Sequence, residues 1–345
     1  MIGPNTAIDD VCNSVRASRV QAIQDFGFTE RQARFLVTVM LHSGVFLERQ
    51  YCAFARITHG QKSHDFLAKL TARRYITVIT PGPLHRGRLY HVRHKRLYEA
   101  IGEPDNRHRK PVALGRMIER LMLLDTVIAD RQSTWLATER DKLAYFACTL
   151  SSLRREEYPQ LAFGEGPNMV TRYFPDKLPI GIEKDGYRQH TFVYLITRDV
   201  PVDFRAFLMR HGELLRALHD WTVRLVVPRR FRKAAPLYTR ALRDEFASPL
   251  RPSVADRLPQ YFREHRDTGG HFSQPTDEDL AKAFRRFGAA RFRALYRAWQ
   301  REGDRALWAT SSVTLRDALA HGDGRLECVE LPHQYLQLTS LVGVA

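Results

Sequence analysis

Apolar residues recur at helical spacing in a stretch that begins just after Thr29, and this pattern predicts a first amphipathic helix. Thr29 is the expected N-cap, with Gln32 three positions later as its capping-box partner. Gly44 is expected to end the helix. The positions that would share its apolar face are Ala33, Leu36, Val37, Met40 and Leu41.

Two more helices and a pair of strands are predicted after it. A short helix is expected over residues 48–57, with Tyr51, Phe54, Ala55 and Thr58 pointing inward, and a break follows at residues 58–60. The next helix is predicted over residues 61–74, with Phe66, Leu67 and Leu70 facing the core. The β-branched run 75–79 and the run 89–92 are predicted as two strands joined by a turn at residues 81–83. Three helices followed by a hairpin indicate a winged helix-turn-helix over residues 29–105.

The chemistry of that module predicts contacts with double-stranded DNA. A helix fits the major groove, where amide, Lys and Arg side chains match the edges of the bases. A basic hairpin tip would lie against phosphates or the minor groove. The predicted DNA contacts are Gln61, Lys62, Ser63, His64, Lys69, Arg73 and Arg74 on the helix, and His85, Arg86 and Arg88 at the tip. The alternatives are an ordinary solvated surface and a winged helix that contacts only proteins.

The charge of the chain favours a polyanionic partner. It has 54 Lys and Arg against 38 Asp and Glu, a net charge of +16 and a pI of about 10.0. Residues 1–110 alone carry 18 basic and 9 acidic residues, a net +9. Nucleic acid is therefore the first expectation and a membrane surface the second.

The absence of a signal peptide and of a membrane span indicates a cytoplasmic protein, which as a DNA-binding protein is expected at the nucleoid. The four cysteines are far apart and form no C-x-x-C pair, so neither a zinc ribbon nor a disulfide framework is predicted. Cys52 and Cys148 have apolar neighbours and are expected to be buried thiols. No signal peptide and no apolar run of about 20 residues is present, so no membrane span is expected, and the predicted partners include no membrane. We expect no cofactor and no metal site.

The segments around the winged helix suggest how it is connected. Residues 1–28 are expected to contribute one N-terminal helix, and the basic run 105–111 reads as a linker. Residues 112–128 form a helix with a wide apolar face, which in a two-fold symmetric regulator would pair two subunits. The alternative is that this face packs on a neighbouring domain. Residues 106–140 are thus assigned to a linker and a dimerisation helix.

Residues 141–250 are predicted to form a small α/β domain. The apolar run 143–148 fits either helix or strand, whereas residues 191–196 and 222–228 read as buried strands. Helices are predicted over residues 203–218 and 231–246. Residues 251–345 are predicted to be mainly helical, with an aromatic-lined basic helix over 277–302, and to end in a hairpin. The fold class is therefore α+β and multidomain.

Three motifs resemble the replication-relaxation proteins of bacterial plasmids and mobile elements. They are residues 174–176 (FPD) before a strand, residues 203–208 (DFRAFL) and residues 221–228 (WTVRLVVP), all downstream of the winged helix. The resemblance implies a second domain similar to the PD-(D/E)xK restriction-endonuclease fold. It would place Asp176 as the first metal ligand, but the next strand lacks the acid and the Lys that nuclease chemistry needs.

The sequence therefore predicts a homodimeric, sequence-specific DNA-binding regulator of transcription or replication from a bacterial plasmid or mobile element. The nuclease-like domain is expected to be inactive. One alternative is a metal-dependent nuclease completed by Glu183 or Glu165 from a loop. The other is a winged-helix adaptor that binds protein. The motifs of nucleotide-binding loops, serine hydrolases and zinc proteases are absent from the sequence.

Overall fold

The computed structural model describes residues 15–80, 88–150, 153–164, 166–183, 189–247, 252–267, 275–304, 307, 324–333 and 335. Contacts divide the chain into two compact units. The first contains residues 1–138, 228–230 and 330–345, and the second contains residues 139–227 and 231–329. Helices and mixed sheets make this an α+β protein, as the pattern predicts.

The first unit carries mainly helices and one small sheet. Its elements are α1 (15–24), α2 (Glu30–His42), β1 (Val45–Phe46), α3 (Glu48–Ala55), α4 (Gln61–Ala72), β2 (Ile76–Ile79), β3 (Leu89–Val92), α5 (Lys95–Ala100), α6 (Leu114–Ala129) and β4 (Ser133–Leu136).

The ends of α2 and α3 follow from local chemistry. Thr29 and Gln32 form the predicted capping box: the Thr29 side chain accepts from the Gln32 amide, and the Thr29 amide donates to Gln32 Oε1 at 3.1 Å. Arg56 ends α3 in the left-handed conformation, with φ of +53°. Thr58 is exposed, so the prediction that it points inward is wrong.

A three-stranded antiparallel sheet closes the core of this unit. β3 lies between β1 and β2, and β2 pairs with β3 from Ile76 opposite Val92 to Ile79 opposite Leu89. Phe35 of α2 lies at the centre, with ring centroids 5.1–6.1 Å from its aromatic neighbours. These neighbours are Phe46, Tyr51, Phe54 and Phe66. Each large apolar side chain buried in this way stabilises the fold by roughly 1.5–3 kcal/mol.

The basic run predicted as a linker packs onto this unit instead. His108 is buried, and its carbonyl oxygen accepts a hydrogen bond from His91 Nε2 at 2.9 Å. Gly44, with φ of +74°, passes so close that a Cβ there would lie 2.4 Å from the His108 carbonyl oxygen. Burial, together with the neighbouring cations Arg107 and Arg120, holds the pKa of the His108 imidazole well below its usual value. A neutral, buried histidine is incompatible with a solvated connector.

The apolar face of α6 is covered within its own chain. From Leu121 to Ile128 every residue of α6 is buried, and the amide of Gln50 in α3 donates to the Leu121 carbonyl at 2.9 Å. Within this stripe, Leu124 and Ile128 pack in the hydrophobic core of the first unit. Because the stripe is buried within the chain, it does not leave a free face for the subunit pairing that the sequence predicted for this helix.

The second unit is built on a mixed sheet. Its elements are α7 (Glu139–Thr149), β5 (Gln160–Phe163), β6 (Val170–Tyr173), β7 (Ile180–Glu183), β8 (His190–Leu195), α8 (Val202–Ala217), β9 (Trp221–Val227), α9 (Ala235–Ala247), α10 (Pro252–Ala255), α11 (Leu258–Asp267), α12 (Glu278–Glu302) and β10 (Gly324–Glu330). The main sheet places the strands of this unit in the order β10-β9-β8-β7. β8 and β9 are parallel and joined through α8, and both lie where the sequence predicted buried strands.

Several predictions in the second unit are resolved by packing. The ambiguous run 143–148 is part of helix α7, and Cys148 is exposed rather than buried. The aromatic side of α12 is core, as Phe292 and Trp299 show. Arg291, which the sequence placed on the basic side, is fully buried and lies 3.2 Å from Glu245. The second strand of the predicted C-terminal hairpin falls outside the described residues.

Candidate nucleic-acid interface

Helix α4 presents one buried and three exposed sides. Phe66, Leu67 and Leu70 point into the core, as predicted. The residues directly opposite are Gln61, Asp65, Ala68 and Ala72, all exposed. This outermost stripe is not basic, because the Gln61 side-chain amide donates to the Asp65 carboxylate at 2.6 Å and the other two positions are alanine.

Ser63 does not face solvent, so the prediction that it contacts DNA is wrong. Its side chain is fully buried, and its hydroxyl donates to Glu48 Oε1 at 2.7 Å. The Gly60 amide donates to the same hydroxyl at 3.1 Å. Ser63 therefore fixes the start of α4 against α3 and has no path to a base.

One flank of α4 lines an open cleft beside the hairpin. His64 and Thr71 form the helical side of this cleft, and Val78 and Arg88 form the strand side. His64 and Arg88 are both exposed, so these two predicted contacts do come together. The predicted tip residues His85 and Arg86 lie outside the described residues.

The opposite flank of α4 carries three of the predicted cations, two of which are already engaged. Lys69 Nζ donates to the Gly27 carbonyl, and Arg73 Nη1 donates to the Phe26 carbonyl. These bonds hold the segment between α1 and α2. Lys62 also lies on this flank and is exposed. The predicted contacts on the helix are therefore divided between two sides.

A second basic cluster lies at the C-terminal end of α4. Arg74, in the left-handed conformation with φ of +54°, lines a shallow cleft with Arg93, Lys95 and Arg96. The positive charge of Lys95 is partly neutralised by Glu99, whose Oε1 lies 3.3 Å from Lys95 Nζ. Arg74 was a predicted DNA contact, whereas Arg93, Lys95 and Arg96 were not. The pairing of β2 with β3 brings the two chain segments together, so sequence position alone could not group them.

The charge of this region is strongly one-sided. Residues 56–96 contain ten Lys and Arg and a single acidic residue, Asp65. Every one of these cations that the structure describes has a side chain at least partly open to solvent. Such a concentration of cations, from the end of α3 to the start of α5, generates a positive field around this segment. The field favours an anionic partner whatever the detailed contacts are.

The carboxylate of Asp176, in the second unit, is already bonded to Arg210 and is not free to act as a metal ligand. Arg210 Nη2 donates to its Oδ1 at 2.5 Å, and Arg210 Nε donates to its Oδ2 at 3.3 Å. A carboxylate held by a bidentate guanidinium is already neutralised, which opposes Mg²⁺ binding. All six residues of β8 are buried, and none is an acid or a lysine. Glu183 is half-buried at the end of β7, and Glu165 lies outside the described residues.

Sequence reasoning missed Glu48 and His59 beside His64. Glu48 begins α3, and its carboxylate lies 3.0 Å from His59 Nε2 and 3.6 Å from His64 Nε2. The signal that could have found them is the pair of histidines flanking the predicted turn at Gly60. His91, by contrast, is buried, and its Nε2 is bonded to the His108 carbonyl oxygen.

Comparisons with known proteins do not indicate a function for this chain. No protein-family model, no curated protein and no solved structure matches this chain. Among the described residues, no helix has both the length and the hydropathy needed to cross a bilayer.

Proposed function

We propose that the first unit is a winged helix-turn-helix that binds double-stranded DNA, with α4 in the major groove and the β2–β3 hairpin against neighbouring phosphates. The supporting observation is the run of ten cations against one acid over residues 56–96, a segment that contains this helix and hairpin. A helix has the diameter that the major groove admits, and the hairpin lies beside it across the cleft.

Within this proposal the side chains have separate roles. His64 and Lys62, in the first turn of α4, are placed to reach base edges from either side of the helix. Arg88, Arg74 and the cluster at residues 93–96 are placed to neutralise phosphates. The wider proposal is a homodimeric regulator of transcription or replication in a plasmid or mobile element, as the sequence resemblance implies. The second unit would then have a structural or coupling role.

The test is fluorescence anisotropy of the full chain with labelled duplexes over a range of salt concentrations. The logarithm of the binding constant should fall with the logarithm of salt, by about 0.9 for each phosphate neutralised. Arg88→Ala should weaken binding to all sequences and reduce this slope by roughly one contact. Arg240→Ala, which removes an exposed arginine of α9, is the matched control and should change neither.

Sequence preference needs its own measurement. Selection of duplexes from a random pool should return a preferred site for the wild type and a relaxed site for Lys62→Ala and His64→Ala. The placement of α4 in the groove fails if Lys62→Ala, His64→Ala and Arg88→Ala all bind like the wild type. It also fails if Arg240→Ala weakens binding as much as Arg88→Ala does.

A protein partner for α4 is the second candidate, favoured by the outermost stripe of the helix. Gln61 is tied to Asp65, and Ala68 and Ala72 offer only methyl groups, which suit a close packing contact better than base reading. Val78 on the adjacent strand is also an exposed apolar residue. Absence of DNA affinity at low salt would favour this candidate over the first.

A further inference from the structure

The turn between α3 and α4 brings three metal-ligating side chains together. Glu48 is the first residue of α3, His59 lies in the turn and His64 lies in the first turn of α4. One ligand atom from each lies within 4.8 Å of the other two. The geometry points to a site for a divalent transition-metal ion, best matched by Zn²⁺, held by Glu48, His59 and His64.

The distances between these atoms suit such an ion. His59 Nε2 lies 3.0 Å from Glu48 Oε2, and His64 Nε2 lies 3.6 Å from Glu48 Oε1. Bonds of 2.0–2.1 Å in a tetrahedral site place neighbouring ligand atoms about 3.3 Å apart. The two imidazole–carboxylate distances, each to a different oxygen of Glu48, lie on either side of this value. The imidazoles are 65% and 55% exposed, so they can rotate the small amount needed to converge on one ion.

The carboxylate is held in place by groups behind it. Glu48 is only 19% exposed, and the buried Ser63 hydroxyl donates to its Oε1 at 2.7 Å. Ser63 is itself held by the Gly60 amide at 3.1 Å. Metal ligands are commonly oriented by such outer hydrogen bonds, whose loss lowers affinity 10- to 100-fold. The site thus has one fixed ligand and two adjustable ones.

The ligand types select the class of ion. Two imidazole nitrogens and one carboxylate oxygen suit Zn²⁺ and its neighbours Co²⁺ and Ni²⁺, whereas Mg²⁺ and Ca²⁺ prefer oxygen ligands alone. The site opens into the cleft that Arg49 and Arg88 also line. Arg49 is paired with Asp125 at 2.8 Å, and Arg88 is the other cation that lines this cleft. A fourth position remains for water.

A bound ion would join the start of α3 to the start of α4 across the turn. Such a clip stabilises the folded state whenever the ion is bound, because the separated ligands of the unfolded chain bind it more weakly. The inference does not depend on DNA binding, and it can hold for a protein-binding helix as well. If the proposed DNA binding fails, the proposed metal site is therefore unaffected. If the metal site fails, the DNA-binding proposal is likewise unaffected.

The experiment uses the full chain, stripped of metal with a chelator and then dialysed. Titration with Co²⁺ should give visible ligand-field absorption that saturates at one ion per chain, and added Zn²⁺ should abolish it. Melting temperature should rise with Zn²⁺ concentration and not with Mg²⁺. His59→Gln and His64→Gln should each weaken Co²⁺ binding at least tenfold, and Ser63→Ala should weaken it about tenfold through the carboxylate.

His219→Gln is the matched control, because His219 is an exposed histidine of the second unit and its loss should leave the titration unchanged. The two exposed histidines make the test robust, since their replacement removes no buried contact. Wild-type Co²⁺ affinity in both His59→Gln and His64→Gln would overturn the site. Absence of stoichiometric Co²⁺ binding by the wild type would also overturn it, leaving a hydrogen-bonded His-Glu-His cluster.

Discussion

The carboxylate of Asp125 in α6 holds α3 against α6 through several hydrogen bonds. Removing this carboxylate is the sharpest test of how these helices pack. Its carboxylate accepts from Arg49 Nη1 at 2.9 Å and from Arg49 Nη2 at 2.8 Å. It also accepts from Gln50 Nε2 at 2.7 Å and from the Tyr335 hydroxyl at 2.5 Å. Since Arg49 and Gln50 belong to α3, one side chain fixes the helix that leads into α4.

The magnitude follows from what Asp125→Ala would leave behind. Breaking a buried charge pair by removing one partner costs roughly 3–5 kcal/mol. The lower end applies here, because the Arg49 side chain is 32% exposed and water can replace part of its lost interaction. Gln50 is fully buried; its side-chain NH₂ would keep only the bond to the Leu121 carbonyl, at 2.9 Å, while its Oε1 would still accept from the Leu47 amide. We expect a loss of about 3 kcal/mol in the free energy of unfolding of this unit.

Amide hydrogen exchange measured by mass spectrometry is the suitable assay, because a chain of two units does not unfold in one two-state step. A loss of about 3 kcal/mol corresponds to a fall of roughly 100-fold in the protection of α3 and α6 amides. The amides of β8 and α8 in the second unit are the internal reference, and their protection should not change.

A double-mutant cycle identifies the interaction responsible. Arg49→Met should cost much less in the Asp125→Ala background than in the wild type, since the carboxylate it serves is already gone. Additive costs would show that Arg49 and Asp125 do not stabilise each other. A fall in α3 protection of less than tenfold in Asp125→Ala would contradict the role assigned to the carboxylate.

Three further substitutions test other parts of the fold. Gly44→Ala should destabilise the first unit by at least about 1 kcal/mol, because φ is +74° and the new Cβ meets the His108 carbonyl; thermal melting measures this. Burial lowers the pKa of His211 from 6.5 to about 4, so the unfolded chain takes up its proton first. Stability should be complete above pH 6.5 and fall by up to roughly 3 kcal/mol as the pH approaches 4, a loss that His211→Gln should reduce in urea titrations. Arg291→Met should cost less than the roughly 3–5 kcal/mol of breaking an isolated buried pair, because Glu245 keeps its bond to Arg205 at 2.6 Å. Glu245→Leu should cost more than Arg291→Met in chemical denaturation, because it deprives both Arg205 and Arg291 of this carboxylate.

The elements that the sequence predicts well are those whose burial pattern is local. Helix α2 and strands β8 and β9 each carry an unbroken periodic or apolar run, and the structure reproduces all three within a few residues. The capping box of Thr29 is a contact over three residues, so it too is visible in the sequence. Where the deciding contacts lie within one turn or one strand, periodicity is sufficient.

The elements that the sequence misses depend on distant partners. β1 is only two residues long and exists because β3, some 45 residues later, pairs with it. Ser63 was placed outward because serine is polar, yet it is buried beside Glu48, which satisfies its hydroxyl. The basic run around His108 has the composition of a solvated segment. It can be buried because Gly44 has no side chain and leaves room for it. In each case the local pattern lacks the partner that makes burial favourable.

The predicted DNA contacts of α4 are divided between two flanks of the helix. This division affects how α4 would bind DNA, and it cannot be derived from the sequence pattern. Lys62, Lys69 and Arg73 share one flank through helical spacing, but only tertiary packing decides that the hairpin lies on the other. Lys69 and Arg73 would have to release the carbonyls of residues 27 and 26 before contacting a phosphate. His64 and Arg88 already face the cleft. A duplex bound through the cleft should therefore respond more strongly to Arg88→Ala than to Arg73→Ala, although both remove one positive charge.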